Sequence, residues 1–400
     1  MLVLVAPGQG AQSPGFLAPW LDLPGVADRL AWWSAVADLD LVHYGTEADA
    51  DTIRDTAIAQ PLLVASGVVA ALALFPHPAE AYRVVGAAAG HSVGELTAAA
   101  GTGAITVESA MTLVRERGRA MAEAAAVTET SMTAILGGDR DEVLAKIAEY
   151  GLTAANDNGA GQIVAAGTVE QLAAFHADPP AKARLRALSV AGAFHTKHMD
   201  SAVDRMALLA RGVPARDPRI PYISNRDGAV VHSGRELVER LVQQVASPVR
   251  WDLCMQTMGE LGVTGVLEVP PAGTLTGLVK RALPGVETFA LKTPDDLDAA
   301  RAFVARHGVA GHSMANSPTW RLIVAPFSGT VRVGVPGGDP IEPGTQLAPG
   351  TEVCAVVSRR AEQTLVAEHG GTVLEWLVED GDPVAPGQPL LRIHPKGEAH

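Results

Sequence analysis

The sequence predicts an α/β protein with a smaller all-β domain at its C-terminal end, and three observations carry that expectation. From residue 1 to about 308, short apolar runs alternate with longer helix-like ones, the rhythm of strands and helices layered around a mostly parallel sheet. Between about 128 and 197 the rhythm changes to strand, helix, strand, strand, helix, strand. Beyond about 320 it gives way to short β runs punctuated by proline and glycine.

The elements follow in order. "LVLVA" (Leu2–Ala6) reads as a strand and "AIAQPLLVASGVVAALAL" (Ala57–Leu74) as a helix. "RVVGAAA" (Arg83–Ala89) reads as a strand and "VESAMTLVRERGRAMAEAA" (Val107–Ala125) as a helix. The altered stretch supplies "SMTAILGG", "RDEVLAKIAEYG", "LTAAND", "GQIVAAG", "TVEQLAAFHA" and "RLRALSV", a βαββαβ order that predicts a ferredoxin-like subdomain inserted in the larger one, with a cleft between them. Residues 309–320, "VAGHSMANSPTW", are small, polar and aperiodic, and read as a linker. The following segment, 321–396, repeats itself. "VAPFSGTV" at Val324 resembles "VAEHGGTV" at Val366, and "GDPIEPGTQL" at Gly338 resembles "GDPVAPGQPL" at Gly381, so two half-units of about forty residues predict a pseudo-symmetric β-sandwich.

With 400 residues, 48% of them apolar and 19% charged, the chain can bury a large core. A net charge of −13 argues against a general nucleic-acid or membrane-surface role, which asks for a basic face. Cys254 and Cys354 stand far apart with no metal-ligand companions, pointing to a reducing compartment and no disulfide. The N-terminal apolar run is too short for a signal core and no later apolar run is read as reaching membrane-spanning length, so the expected location is cytoplasmic.

"GHSVGE" (Gly90–Glu95) lies between a strand and a helix. A nucleophile on such an elbow needs small flanking residues, because the turn is tight and backbones approach closely, and Gly90 and Gly94 meet that need around Ser92. "GHSMA" (Gly311–Ala315) lacks the second glycine and any leading strand, which makes Ser313 a linker serine. Serine needs a base to take its proton, and histidine, with an unperturbed pKa of about 6.5, is the usual one. His195 in "VAGAFHTKHMD" follows the last strand of the inserted subdomain, which brings it across the cleft. His198 reads as a surface residue and His91 as a packing neighbour of the serine. "PGQGAQ" (Pro7–Gln12) follows the first strand and can bring the Gln9 amide to the elbow, where the Val93 amide would be a second oxyanion donor.

"PGQGAQ", "IAQPLL", "GHSVGE", "RERGRAM", "AANDNGAGQIVAAG", "GAFHTKHM", "SPVRW" and "TLTGLVKR" occur in an order and spacing that resemble the malonyl-CoA:acyl carrier protein transacylases over residues 1–308. The resemblance implies an α/β-hydrolase-like large subdomain, an acyl ester on Ser92, His195 as general base and an oxyanion hole of the Gln9 and Val93 amides. It implies a dyad whose histidine is oriented by a main-chain carbonyl, that of Arg250. Arg117 in "RERGRAM" is implied to clamp the malonyl carboxylate, a pairing that suits a planar guanidinium in a partly desolvated pocket. Gln60 and Asn156 are implied to line the acyl site, and Phe194 to narrow it against an α-methyl branch. Pro270 departs from the pattern, which carries glycine there.

Residues 321–396 resemble biotinyl/lipoyl (hammerhead) carrier domains, whose half-units meet at a hairpin presenting a modifiable lysine. Here that hairpin falls near "SRRAE", Arg360 takes the lysine's place, and Lys396 in the tail is the segment's one lysine. No covalent biotin or lipoate and no metal are therefore expected. The resulting expectation is a transfer of malonyl from malonyl-CoA to the phosphopantetheine thiol of an acyl carrier protein for fatty acid or polyketide synthesis, with the last domain docking to a carboxylase or synthase complex. An acyl-thioester hydrolase, and a scaffold acting mainly through its C-terminal domain, are the alternatives. Lys182, Arg184, Arg186, Lys197 and Arg205 are candidates for a basic patch facing an acidic carrier protein.

Overall fold

The computed structural model describes residues 1–308, 321–334, 341–368 and 370–394. The chain divides into two compact units, Met1–Ser313 and Met314–His400. The linker reading of 309–320, Ser313 and Lys396 lie outside the described residues.

The first unit runs through strands β1 (Leu2–Ala6), β2 (Val85–Gly90), β3 (Thr130–Gly137), β4 (Thr153–Asp157), β5 (Gln162–Thr168), β6 (Ala183–Ala187), β7 (Tyr222–Ile223), β8 (Val230–Val231), β9 (Val249–Arg250), β10 (Gly265–Glu268) and β11 (Glu287–Ala290). Six of them form a sheet in the order β11-β10-β1-β2-β7-β8, parallel except for the last pair. Successive residues of a strand point to opposite faces, and this sheet is covered on both, which is why its central strands are apolar throughout. Leu2 and Ala6 of β1 join one core with helices Thr56–Leu74 and Val107–Ala125, while Val3 and Val5 join another with Trp251, Met255, Leu275 and Val279.

Two expectations change here. Arg83 and Val84, read as the start of a strand, instead close a short helix, Pro78–Val84, begun by a proline in the first turn. Helix Thr56–Leu74, 19 residues with a mean hydropathy of 2.0, is long and apolar enough to cross a membrane, contrary to the sequence reading. Its composition reflects a position inside the protein, where 72% of it is buried and helix Val107–Ala125 packs beside it.

The four strands between β2 and β7 join β9, from later in the chain, in a five-stranded sheet ordered β6-β3-β5-β4-β9. β3, β4, β5 and β6 pair antiparallel with one another, and helices Arg140–Glu149 and Val169–Ala177 bury Val143, Ile147, Leu172 and Phe175 against Ile135 and Ile163. β9 pairs parallel to β4, Asn156 opposite Val249 and Asp157 opposite Arg250, and so ties this sheet to the chain returning from the larger one.

The second unit comprises β12 (Arg321–Val324), β13 (Gly329–Val333), β14 (Gln346–Leu347), β15 (Thr351–Val357), β16 (Glu362–Ala367), β17 (Gly371–Trp376), β18 (Pro383–Val384) and β19 (Pro389–His394). They form two four-stranded sheets, β12-β19-β17-β14 and β16-β15-β13-β18. Replacing each strand by its equivalent in the other half-unit turns one sheet into the other. Val331, Val353, Val373 and Leu391 lie in the shared core.

Leu62, fully buried in helix Thr56–Leu74, measures how tightly the first unit is packed. Leu62→Ala is expected to destabilise it by about 2–5 kcal/mol, the range for a buried leucine replaced by a cavity, as read from the urea midpoint of the unfolding transition.

Candidate active site

β1 and β2 lie side by side with Ala6 opposite Gly90, and the chain turns immediately after both. His91 N–H donates to the Ala6 carbonyl at 2.9 Å. A Cβ on Gly90 would stand 1.9 Å from the Gly94 main chain, and one on Gly94 would stand 2.2 Å from the Ala6 oxygen. Both glycines are therefore steric requirements of the turn. Between them Ser92 adopts φ 52°, a left-handed backbone that costs a non-glycine residue about 1–3 kcal/mol and persists only where its surroundings enforce it. Asn225, which follows β7, supplies that enforcement. Its Oδ1 accepts the Ser92 N–H at 2.8 Å, and its Nδ2 donates to the Gly90 carbonyl at 2.7 Å.

His195 meets the elbow from the loop after β6. Its Nε2 lies 2.8 Å from Ser92 Oγ. Its own φ is 62°, and the loop is pinned by Thr130 Oγ1, which accepts the Ala193 N–H at 2.9 Å. His195 Nδ1 lies 2.9 Å from the main-chain carbonyl of Gln244. A carbonyl can only accept, so Nδ1 carries the proton and Nε2 presents a lone pair to the serine. The orienting carbonyl is thus that of Gln244, a correction to the assignment of Arg250. The Arg250 N–H donates to the Asn225 carbonyl at 2.8 Å and its side chain pairs with Asp252, because β9 turns that residue toward the inserted sheet.

Arg117 is 2% exposed. Its Nη1 donates to Gln60 Oε1 at 2.7 Å, and its Nη2 to Gln244 Oε1 at 2.6 Å and to Ser92 Oγ at 3.2 Å. Burial pulls its pKa down to about 10, which leaves it a cation at neutral pH. Burial first, and the Arg117 charge second, pull the His195 pKa down to about 3, so the imidazole is neutral at neutral pH. Arg115 and Arg119 turn away, the first to the Ala57 and Asp38 carbonyls and the second to the Asp38 carboxylate.

The loop after β1 reaches the elbow, since Gly8 packs against the His91 carbonyl and Gln9 Nε2 donates to the Arg54 carbonyl at 3.2 Å. Among the described residues the Gln9 and Val93 main-chain N–H groups donate no hydrogen bond, which leaves both available to a ligand. A cavity of about 520 Å³ opens beside this loop, lined by Gln9, Gln12, Arg54, Leu136, Gln162 and Arg186.

Phe194 is buried in the core next to His195. Asn156 is buried on β4, and no side-chain hydrogen bond among the described residues joins it to Ser92, His195 or Arg117. Its neighbour Asn158 does reach the elbow, its Oδ1 accepting the His91 Nε2–H at 2.8 Å, while the His91 ring meets Trp251 edge-on at 5.7 Å. Sequence reasoning missed Asn158, Gln244, Asn225 and Glu95. Of these, Glu95 and Asn158 carried a signal, the first as the last residue of "GHSVGE" and the second as a member of "AANDNGAGQIVAAG".

A hydroxyl in contact with a neutral imidazole, a buried cation and two free amides is the equipment of acyl transfer. The acyl transferase domain model matches residues 3–294. The malonyl CoA-acyl carrier protein transacylase of Mycobacterium tuberculosis (strain ATCC 25618 / H37Rv) is 50% identical over 303 residues, covering 74% of this chain and 98% of that protein. This chain belongs to the malonyl-CoA:acyl carrier protein transacylase family. The crystal structure of the Mycobacterium tuberculosis family member superimposes with a TM-score of 0.73, covering 75% of this chain and 99% of that one at 50% identity. A second transacylase, solved in complex with a holo acyl carrier protein of a type II polyketide synthase, gives a TM-score of 0.69 at 30% identity, covering 75% of this chain and 99% of that one. The family match ends before the second unit.

Gly94→Ala tests the steric argument. A methyl 2.2 Å from the Ala6 oxygen must displace the elbow, and a shift of about 1 Å at the nucleophile is expected to slow Ser92 acylation about 100-fold or more, measured by intact mass on protein of unchanged circular dichroism.

Proposed function

We propose that this chain carries malonyl from coenzyme A to the phosphopantetheine thiol of an acyl carrier protein through an ester on Ser92. The observation that carries this reading is the buried Arg117 guanidinium, 3.2 Å from the nucleophile and tethered by the neutral oxygens of Gln60 and Gln244. A malonyl thioester ends in an anion, and among the described residues Arg117 donates to two amide oxygens and a hydroxyl but to no carboxylate.

In the first half-reaction His195 Nε2 takes the Ser92 proton as Oγ attacks the thioester carbonyl. The Gln9 and Val93 amides receive the oxyanion. Collapse breaks the carbon–sulfur bond, and the imidazolium returns its proton to the departing coenzyme A sulfur. In the second, His195 takes the proton of the carrier thiol, the thiolate attacks the ester, and the proton returns to Ser92 Oγ. A malonyl carboxylate against Arg117 offsets the charge that holds the His195 pKa down, so the imidazole becomes a stronger base once substrate is bound. Phe194 narrows the acyl site, although one pocket wall is worth only about 1–3 kcal/mol against an extra methyl group. Asn156 lines the same site from β4.

The large sheet is read as hydrolase-like. The insertion is read as ferredoxin-like, supported by its βαββαβ order and by β6-β3-β5-β4, which is 4-1-3-2 in its own strands. Exposed Arg184 and Arg186 alternate with half-buried Leu185 on β6 and would greet an acidic carrier protein, whereas Arg205 is already engaged by Glu116 and Glu123. The location is read as cytoplasmic, in keeping with two buried free thiols.

The second unit is read as a biotinyl/lipoyl-like module that docks to a carboxylase or synthase complex without carrying biotin or lipoate. Its support is that β12–β15, matched in order to β16–β19, exchange its two sheets, and the hairpin between β15 and β16, where Ser358 N–H donates to the Ala361 carbonyl at 2.8 Å and Arg360 is exposed at the tip.

Intact-protein mass spectrometry after incubation with malonyl-, methylmalonyl- and acetyl-CoA tests the function, with a malonyl adduct expected on the native chain and none on Ser92→Ala. Arg117→Ala is expected to cost malonyl transfer about 100-fold or more while acetyl transfer changes far less; equal losses on both substrates would overturn the clamp. A chain ending at residue 308 is expected to keep transfer to a free carrier protein, measured as its steady-state rate.

A further inference from the structure

We propose that Glu95 is a positioning residue that sets the direction of the Gln244 side-chain amide, and through that amide holds Arg117 ready for a free carboxylate; this rests on the malonyl reading of the site. An amide side chain has a donor end and an acceptor end, and its partners decide which way it faces. Gln244 Nε2 donates to Glu95 Oε2 at 2.5 Å and to the Ser92 carbonyl at 2.7 Å, while Oε1 accepts from Arg117 Nη2 at 2.6 Å. Turned over, the amide would aim its NH₂ at a guanidinium that can only donate, and its oxygen at two groups that can only accept. The carboxylate of Glu95 therefore does for the amide what no neutral donor could.

Glu95 is itself held rigidly. It is 1% exposed, sits in the first turn of helix Gly94–Gly101, and takes the Asn225 N–H on Oε1 at 2.7 Å. The same Gln244 that carries the amide also supplies the carbonyl for His195 Nδ1, so one residue connects Glu95 to both the clamp and the base. Gln60 holds Arg117 Nη1 independently. Losing the Gln244 contact should therefore weaken the clamp without abolishing it.

The charge on Glu95 responds to pH. Burial raises its pKa to about 7 against the pull of Asn225, Tyr222, Gln244 and Arg117. The titratable groups facing it are Arg117, Tyr222 and Cys254, with His195 beyond Gln244. Arg117 stays charged, Tyr222 and Cys254 are pushed up and stay neutral, and His195 is held down to about 3. Of these groups Glu95 is the one whose charge changes near pH 7, and an acid limb is expected there. Below it, the bound proton takes away an acceptor oxygen and releases the Gln244 amide; above it, the amide is fixed.

The experiment compares acylation kinetics with malonyl-CoA and acetyl-CoA for the native chain and Glu95→Gln across pH 5–9. In Glu95→Gln the malonyl KM is expected to rise about tenfold with a smaller change in kcat, acetyl acylation to change less than about threefold, and the limb near pH 7 to vanish. Equal losses on both substrates or an unmoved limb would overturn the proposal. Should Glu95→Gln fail to fold, the native profile decides: a limb near pH 7 in kcat/KM for malonyl-CoA but not acetyl-CoA supports it, and its absence overturns it. Native protein that forms no malonyl ester on Ser92 would instead overturn the function on which the proposal rests.

Discussion

The carbonyl of Ala6 lies so close to the backbone of Gly94 that no Cβ fits between them, and this contact governs the rest of the catalytic unit. It exists because β1 and β2 are parallel neighbours whose ends coincide, so the loop after one must pass the turn after the other. From that crowding follow the two glycines, the left-handed backbone of Ser92, and the placing of the Gln9 loop beside the nucleophile. A parallel sheet buried on both faces provides the rigidity that such a turn needs.

The second theme is a charge arrangement that avoids a direct ion pair. A buried cation without compensation is costly, and a carboxylate is the usual remedy. Here the guanidinium of Arg117 is satisfied by two neutral amide oxygens and a hydroxyl, while the nearest buried carboxylate, Glu95, acts one residue removed through Gln244. The cation is stabilised enough to stay ordered yet keeps an unmet attraction for an anion. Burial first, and that charge second, keep the imidazole of His195 free of a proton.

Much of this was legible in the sequence. Alternating apolar runs disclosed the layered unit, the βαββαβ order disclosed the insertion, and "GHSVGE" disclosed the nucleophile because a glycine pattern is a direct record of backbone crowding. What stayed hidden was everything that depends on an unremarkable polar residue arriving from a distance. Gln244 lies 152 positions from Ser92, and Asn225 lies 133 from it. Neither has a periodicity or a spacing that marks it, and the orienting carbonyl was misplaced at Arg250 because a main-chain group leaves no trace in side-chain identity. The start of β2 was misjudged for a related reason, since arginine and valine are at home in either a helix end or a strand start.

In the C-terminal unit, β14 of the first repeat lies in the sheet with β17 and β19, and β18 of the second lies with β13 and β15. Each repeat therefore places two of its strands in each sheet, as two hands interlace fingers. A lone copy of such a repeat would have no sheet to complete and could reach the same architecture only as an interlocked pair of chains. Joining the copies in one polypeptide turns a concentration-dependent assembly into an intramolecular one.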